Sequence, residues 1–351
     1  MSLNKQKRDE IKQFILLNMR DHPSDIVRFS QAKFNLSRPA ILRYVHDLKD
    51  EKLIDIQGST KNIKYLLKPL HAITHEYQLQ NPLAEDKIWR DDVASLFTGI
   101  KDDVVNICHY GFTEIFNNAI DHSEGKTVTT KIEIWIDKIS MEIADDGVGI
   151  FNKIQQKHNL DDSLHAILEL SKGKLTTEPS GHTGEGIFFT SRMFDEFLIA
   201  SEKLCFGSRT WDWIFESNQD VKGTLVYMEI SPSSERTTLS IFSKFMSTPD
   251  KYGFDKTIVP VELVRYGNEN LVSRSQAKRL LARLDIFNTV MLDFANIEII
   301  GRAFADEIFR VFVNQHPNTT LLAINENKSI QQLIKEIQGE NSPGSPVDNA
   351  Q

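Results

Sequence analysis

The stretch FTEIFNNAIDHSEG, residues 112–125, decides how the middle of this 351-residue chain folds. Its apolar residues recur three or four positions apart, which predicts the buried face of an amphipathic helix. These residues are Phe112, Ile115, Phe116, Ala119 and Ile120. Glu114 and Asn118 stand one turn apart and therefore share a different face of the same helix. One face of the helix is thus expected to pack in the core, and another face to take part in a binding site.

A carboxylate and an amide oxygen on one helical face suit a hard cation such as Mg²⁺, which keeps several waters and takes few protein ligands. The Glu114 carboxylate could also orient or deprotonate a water molecule that attacks a phosphate. The neighbours Asn117, Asp121 and His122 are given no role, because bonding within the fold or capping of the helix end explains them as well.

Two strands are predicted after this helix, at 127–136 and 140–145, and the second runs straight into the sequence DDGVGI. Asp145, at the strand end, is placed to accept a hydrogen bond from the amino group of a ligand. Gly147 and Gly149 remove side chains where a flat ring must approach the backbone. The end of the strand is therefore a candidate wall of a ligand pocket.

The sequence GHTGEGIFFTSRMF, residues 181–194, is typical of a glycine loop that opens a helix. Gly184 and Gly186 leave N–H groups at the positive end of that helix, which favours phosphate binding. The loop is not of the dinucleotide type, because no strand leads into it and no βαβ unit surrounds it. A last strand at 223–230 begins with a Gly-Thr pair that contains Thr224.

Four motifs thus follow one another: Glu-x-x-x-Asn, Asp-x-Gly-x-Gly, Gly-x-x-Gly-x-Gly and Gly-Thr. Their order resembles the GHKL ATPase family, which includes DNA gyrase B, the MutL mismatch-repair proteins, sensor histidine kinases and anti-sigma-factor serine kinases. The resemblance covers about residues 96–231. It implies the Bergerat fold, an α/β sandwich that binds ATP together with Mg²⁺.

The resemblance implies roles for the matching polar residues. Glu114 corresponds to the family's water-activating or proton-accepting glutamate, and Asn118 to its Mg²⁺-binding asparagine. Asp145 corresponds to the aspartate that hydrogen-bonds the adenine amino group. Thr224 is similar to the strand threonine near the water on the adenine side.

The resemblance also implies roles for the glycines. Gly147 and Gly149 match the turn beside the adenine. Gly181, Gly184 and Gly186 match the loop that closes over the phosphates.

The lid of the pocket would lie between residues 151 and 181, where Lys172 and Lys174 are candidates for phosphate contacts. An inactive nucleotide-binding scaffold is the alternative for the whole domain. The presence of Glu114 beside Asn118 argues against it, because binding alone needs the asparagine more than the glutamate.

Residues 1–70 are basic, with 14 Lys and Arg against 8 Asp and Glu, whereas the whole chain has a net charge of −8. Three helices and a hairpin are predicted, at 5–20, 25–35, 37–51, 53–57 and 63–68. This order resembles a winged helix-turn-helix, in which the third helix enters the major groove of double-stranded DNA.

Four basic residues of this N-terminal domain are candidates for DNA contacts. Arg38 and Arg43 stand outside the buried stripe of the recognition helix, and Lys61 and Lys64, in or beside the wing, could reach phosphates. The alternative is a small helical domain that binds protein or dimerises.

Residues 71–95 are predicted to be a polar connector, and residues 339–351 a disordered tail. Between them, residues 254–338 alternate strands, at 257–264, 288–300 and 319–325, with helices. This alternation resembles a STAS-like domain, the fold of anti-sigma-factor antagonists, in which the central strand and helix frame a phosphorylated serine. No Ser or Thr stands between Thr289 and Thr319 here. We therefore interpret this domain as a module that docks on the ATPase or on a protein partner.

The composition is that of an ordinary globular protein, with 40% hydrophobic and 26% charged residues. No run approaches the ~18 apolar residues of a membrane span, and the start has no signal-peptide core. We expect a cytoplasmic protein without membrane contact, with a multidomain α+β and α/β fold and with Cys108 and Cys205 reduced in its core.

The first hypothesis for function is an ATP-responsive regulator, in which binding and slow hydrolysis of Mg-ATP control DNA binding or partner docking. The alternative is a protein serine kinase of the anti-sigma-factor type that acts on a STAS-like partner. A histidine kinase is disfavoured, because no helical hairpin with an acceptor histidine is present. Homodimer formation is left open.

Overall fold

The computed structural model describes residues 5–59, 62–175, 184–209, 212–246, 253–265 and 269–339. Within these residues the fold is mixed, with helices and three sheets distributed over three regions of the chain. The predicted multidomain α+β and α/β fold is confirmed.

The N-terminal region contains three helices and one antiparallel strand pair. These elements are α1 (Lys5–Asn18), α2 (Ile26–Phe34), α3 (Arg38–Asp50), β1 (Ile54–Gln57) and β2 (Lys64–Leu67). Apolar residues from all three helices form a separate core, among them Ile11, Ile15, Ile26, Ile41 and Val45. Ser37 occupies the N-cap position of α3 without a side-chain cap hydrogen bond, and Pro39 lies in the first turn, where its missing N–H costs nothing.

The central region is built on a five-stranded antiparallel sheet in the order β3-β4-β5-β7-β6. Its strands are β3 (His71–Gln78), β4 (Thr127–Ile134), β5 (Ile139–Asp145), β6 (Glu196–Ser208) and β7 (Asp212–Ile230).

The predicted connector over 71–95 is wrong at its start, because His71–Gln78 is the edge strand of this sheet, paired residue for residue with β4. Only the side chains on one face of this edge strand are partly buried, and no residue of β3 is fully buried. The strand therefore reads as polar sequence.

The end of the supposed connector is also part of the central core. The short helix α4 (Glu85–Ile88) continues into a π-helical turn at Trp89–Val93 and a 3₁₀ turn at Ala94–Phe97. Ile88, Trp89, Val93 and Phe97 are buried there.

Helices cover the central sheet and frame the site. They are α5 (Asp102–His122), α6 (Ile150–His158), α7 (Ser163–Lys172), α8 (Gly186–Met193) and α9 (Thr238–Lys244). α5 packs on β5 and β7, and α8 packs on β6 and α5. Cys108 on α5 and Cys205 on β6 are both buried and unbonded, as expected for reduced core cysteines.

The C-terminal region is a three-stranded parallel sheet, in the order β10-β9-β8, with helices around it. Its elements are β8 (Lys256–Pro260), α10 (Arg274–Leu281), β9 (Thr289–Asp293), α11 (Arg302–Asp306), a π-helical turn at Glu307–Phe312, α12 (Val313–Gln315), β10 (Thr320–Ile324) and α13 (Lys328–Gly339).

Two strands of this region were predicted too long. The strand predicted at 257–264 ends at Pro260, and the apolar Val261–Val264 forms a 3₁₀ turn instead. The strand predicted at 288–300 ends at Asp293, whose carboxylate accepts the N–H of Ala295 at 2.9 Å and turns the chain. Most apolar residues beyond both ends are buried in turns and loops, although Ile299 is exposed, and periodicity alone does not distinguish buried turns from strands.

The three regions are connected differently. The central and C-terminal regions share one continuous core, in which the rings of Phe188 and Phe287 both pack against Phe254. The N-terminal region contacts the β4–β5 turn, where Arg20 forms an ion pair with Asp137 at 2.5 Å and lies 4.5 Å from the centre of the Trp135 ring.

Candidate functional site

A cavity of about 300 Å³ opens between α5, the end of β5, the part of β7 around Thr224 and helices α6 to α8. Seven of the residues selected from the sequence line it. They are Glu114, Asn118, Asp145, Gly149, Gly184, Gly186 and Thr224. Residues from four separate stretches of sequence therefore meet in one place.

Helix α5 supplies the acidic and amide groups of the cavity. Its buried face packs Phe116 against Tyr77 of the sheet and Phe112 against Trp89, and Glu114 and Asn118 line the cavity beside Ile115. The two polar side chains stand one turn apart on the same face, as the spacing predicts. The donor set of one carboxylate and one amide oxygen fits a hard cation that also takes ligands from phosphate and water.

Asp145 and Thr224 form the opposite wall of the cavity and are direct partners across β5 and β7. Asp145 Oδ1 accepts the backbone N–H of Gly147 at 2.9 Å and of Thr224 at 3.3 Å. Thr224 Oγ1 in turn accepts the N–H of Ile150 at 3.0 Å, which ties the start of α6 to β7. Burial raises the pKa of the Asp145 carboxyl, against the opposing effect of its two backbone donors.

Gly147 and Gly149 are required by protein packing, which differs from the reason inferred from the sequence. A Cβ at Gly147 would lie 2.0 Å from the carbonyl oxygen of Ser123, at the end of α5. Gly149 has a φ of 83°, and a Cβ there would lie 2.4 Å from Ser201 Oγ. Gly149 lines the cavity, whereas Gly147 is not among the residues that line it, and a role of the two glycines beside a ring stays a prediction.

Two glycines at the end of the glycine loop, Gly184 and Gly186, line the cavity. The Gly184 carbonyl accepts the N–H of Leu175 at 3.2 Å, and a Cβ at Gly184 would lie 2.5 Å from the Leu175 backbone, which is too close for atoms that are not bonded to each other. Gly186 opens α8 directly against the Glu114 side chain. Gly181 lies outside the described residues.

Comparison with protein families matches two parts of the chain. Residues 86–205 match the histidine kinase-like ATPase domain, and residues 276–331 match a STAS-like domain of unknown function. The chain contains a histidine kinase-like ATPase domain. The match to this domain includes Glu114, Asn118 and Asp145. No curated protein matches the chain.

Sequence reasoning missed one charged residue of the ATPase domain that lines the cavity. Lys153, in the first turn of α6, donates from Nζ to the carbonyl oxygen of His122 at 2.7 Å and to Glu124 Oε1 at 2.9 Å. Among the described lining residues it is the single lysine or arginine. In the sequence, only its position four residues after Gly149 could have indicated that Lys153 lies near the site. The contact with the end of α5 depends on the tertiary fold.

The apolar part of the cavity was also missed. It is formed by Ile143, Ile150, Ile154, Leu170, Leu175, Ile187, Phe188 and Val226. These residues read as ordinary core positions in the sequence, because a pocket wall and a core share the same periodicity.

Lys172 and Lys174 do not extend into the cavity of the ATPase domain, so their interpretation as phosphate contacts is not supported. Lys172 is fully buried and donates to Glu169 and to two carbonyl oxygens of the C-terminal region. Lys174 Nζ lies 4.8 Å from the centre of the Phe287 ring. An ammonium group removed from water needs nearby polar or aromatic partners, and the STAS-like domain supplies carbonyl oxygens to Lys172 and the Phe287 ring to Lys174.

The candidate DNA contacts lie on the N-terminal region, outside both family matches. Arg38 and Arg43 on α3 are exposed, as is Lys64 at the start of β2. Lys61 lies outside the described residues.

The described residues contain no cluster of three or more His, Cys, Asp or Glu side chains arranged to hold a metal ion by themselves. None of the helices they form combines the length and apolarity of a membrane-crossing segment.

Proposed function

We propose that this protein is an ATP-binding regulator, in which the nucleotide state of the ATPase domain controls DNA binding by the N-terminal region or docking of a partner. The observation that carries the proposal is the cavity that unites Glu114, Asn118 and Asp145. A histidine kinase-like ATPase domain supports nucleotide binding in this cavity. The proposal includes a cytoplasmic location, where ATP is available.

Each wall of the cavity suits one part of Mg-ATP. Asp145 is a half-buried acceptor for the adenine amino group, and the apolar side chains around it accept the ring. Asn118 would supply an amide oxygen to Mg²⁺, which neutralises phosphate charge when bound. Glu114 would orient or deprotonate the water molecule that attacks the terminal phosphate. Lys153 adds the positive charge that a polyphosphate needs.

The contact between the N-terminal region and the ATPase domain supports a regulatory role. Arg20, just after α1, pairs with Asp137 and stacks on Trp135 in the β4–β5 turn of the ATPase sheet. β5 ends at Asp145, so the same strand joins this contact to the cavity. A change at the cavity therefore has a short physical route to the proposed DNA-binding surface.

Incubation of the protein with γ-labelled ATP and Mg²⁺ tests the proposal. Free labelled phosphate indicates an ATPase, and labelled protein indicates a kinase, including the alternative in which a STAS-like partner is the substrate. Bound ATP without either product indicates a switch that depends on occupancy. Unchanged ATP affinity after Asp145→Asn would contradict the assignment of the pocket.

The DNA part of the proposal needs its own measurement. Binding of the full chain to duplex DNA, with and without ATP, is measured over a range of salt concentrations. Contacts between basic side chains and phosphates give an affinity that falls steeply with salt. Affinity that is absent or insensitive to salt would remove DNA binding and leave partner docking.

A further inference from the structure

The C-terminal end of α7 and the turn after it are held by the STAS-like region. Arg283, two residues past α10, donates from Nη1 to Glu169 Oε2 at 2.9 Å and from Nη2 to the carbonyl oxygen of Lys174 at 2.5 Å. Thr257 Oγ1 donates to the carbonyl oxygen of Lys172 at 2.7 Å. Glu169, Lys172 and Lys174 are thus each hydrogen-bonded to a residue about a hundred positions later in the chain.

A buried ion pair lies at the centre of this contact. Lys172 Nζ donates to Glu169 Oε1 at 2.5 Å and to the carbonyl oxygens of Arg279 and Ala282 at 3.2 and 2.9 Å. Glu169 and Lys172 are each only 1% exposed. Buried charges are destabilising unless partners satisfy them, and removal of one partner leaves the other charge without compensation. Arg283 and the two carbonyl groups are therefore integral to the packing of α7.

The backbone on both sides of this contact is constrained. Arg283 has a φ of 62° and Lys174 a φ of 51°, both in the left-handed region that non-glycine residues rarely adopt. Gly173, between Lys172 and Lys174, has a φ of 81°, and a Cβ there would lie 2.5 Å from the Phe254 ring. Such conformations persist where the surrounding contacts determine them.

The same segment forms part of the wall of the candidate nucleotide cavity. Leu170 and Leu175, on either side of the buried lysine, both line the cavity. Leu175 also donates its N–H to the carbonyl of Gly184, at the base of the glycine loop. The contact with Arg283 and the cavity thus lie on opposite sides of one short segment.

We infer that Arg283 is a positioning residue of the nucleotide pocket, through which the STAS-like domain holds the Leu170–Leu175 wall in its binding arrangement. The inference rests on the proposed function of the cavity. Since coupling between two sites is reciprocal, bound nucleotide would strengthen docking of the STAS-like domain by the same factor with which docking strengthens nucleotide binding. The STAS-like domain would then report nucleotide occupancy to whatever else it contacts.

The test uses the full chain and measures the affinity for Mg-ATP by calorimetry. Arg283→Ala is expected to weaken ATP binding by a factor in the range of about 5 to 150, and Arg283→Lys, which retains the charge near Glu169, to recover part of the loss. Arg302→Ala is the matched control, because it removes an exposed ion pair with Glu336 elsewhere in the same domain. Equal ATP affinity of Arg283→Ala and wild type would overturn the inference.

Amide hydrogen exchange separates this inference from the proposed function. In Arg283→Ala, exchange in residues 169–175 is expected to accelerate without nucleotide, and ATP should no longer slow exchange in residues 279–283. If wild type binds no ATP, the proposed function fails, and unchanged exchange in residues 169–175 would then still overturn the positioning role. If Arg283→Ala does not fold, Thr257→Val removes the hydroxyl bond to Lys172 with little change in volume and is expected to show the same effects, more weakly.

Discussion

The α-carbon of Gly186 faces the carboxylate of Glu114 so closely that a methyl group at position 186 would lie 1.9 Å from Glu114 Oε2. The two residues are 72 positions apart in the chain. Glu114 begins the Glu-x-x-x-Asn motif, and Gly186 ends the Gly-x-x-Gly-x-Gly motif. Their contact sets the position of the proposed water-activating group against the start of α8. Any side chain at position 186 must displace either that carboxylate or the glycine loop.

Gly186→Ala is expected to reduce ATP hydrolysis by up to about 100-fold, because displacement of a catalytic group by about 1 Å is sufficient for a loss of this size. The measurement is the release of labelled phosphate at saturating ATP. Gly253→Ala is the control, since a Cβ at Gly253 would meet no atom within 4 Å. Hydrolysis by Gly186→Ala at the wild-type rate would show that the position of Glu114 is not critical.

The affinity for ATP is expected to fall on acidification over a pH range that begins above about 4, where an exposed aspartate titrates. Burial raises the pKa of Asp145, so this carboxyl gains a proton at a higher pH than an exposed aspartate. The ionised form accepts a hydrogen bond from the adenine amino group, and protonation therefore competes with binding. Calorimetry of wild type and Asp145→Asn over this range checks it, because the titration of the ATP phosphates is common to both. Parallel pH profiles would contradict the prediction.

Lys153→Met is expected to weaken binding of ATP by about tenfold or more while leaving adenosine binding nearly unchanged, since the lost interaction is a charge-assisted contact with phosphate. Competition binding with ATP, ADP and adenosine measures the difference. Lys157→Met, one turn further along α6 and exposed, is the control for the loss of charge. An equal loss for all three ligands would indicate that Lys153 supports the pocket through His122 and Glu124 instead.

Arg20→Ala is expected to remove the effect of ATP on DNA binding without abolishing either activity. The substitution breaks the ion pair with Asp137 and the contact with the Trp135 ring, which connect the N-terminal region to the ATPase sheet. DNA affinity with and without ATP is compared with that of Arg8→Ala, which changes an exposed residue of α1. Retention of the full ATP effect in Arg20→Ala would exclude this contact as the route.

Arg43→Ala is expected to weaken duplex DNA binding and to reduce the slope of log affinity against log salt by about 1, as for the loss of one phosphate contact. Arg43 is exposed on α3, the proposed recognition helix. Lys335→Ala on α13 removes the same charge from the opposite end of the chain and should leave the slope unchanged. An unchanged slope for Arg43→Ala would move the DNA surface away from this helix.

Local patterns were sufficient to predict the helix and the strand that carry three of the candidate site residues. The helical spacing of Glu114 and Asn118 and the position of Asp145 at the end of a strand depend on residues within one or two turns of each other. The apolar periodicity of α5 likewise predicts which face is buried. These predictions succeeded because the responsible forces act between near neighbours in the chain.

Other features depend on contacts between distant segments. The edge strand β3 is held by β4, about 55 residues later, and reads as polar by itself. Gly147 packs against Ser123, and Lys153 reaches the end of α5, only because β5 and α6 fold back on that helix.

The sequence by itself determined the mixed fold and the order of the site motifs, because hydrogen bonding and burial within each element follow local periodicity. Only the tertiary structure decided what Lys172 does. Its position in the predicted lid suggested a phosphate contact, yet its ammonium group is bonded to the carbonyl of Ala282, 110 residues later. A buried charge takes the partners that the packed fold brings to it, and those partners are not neighbours in the sequence.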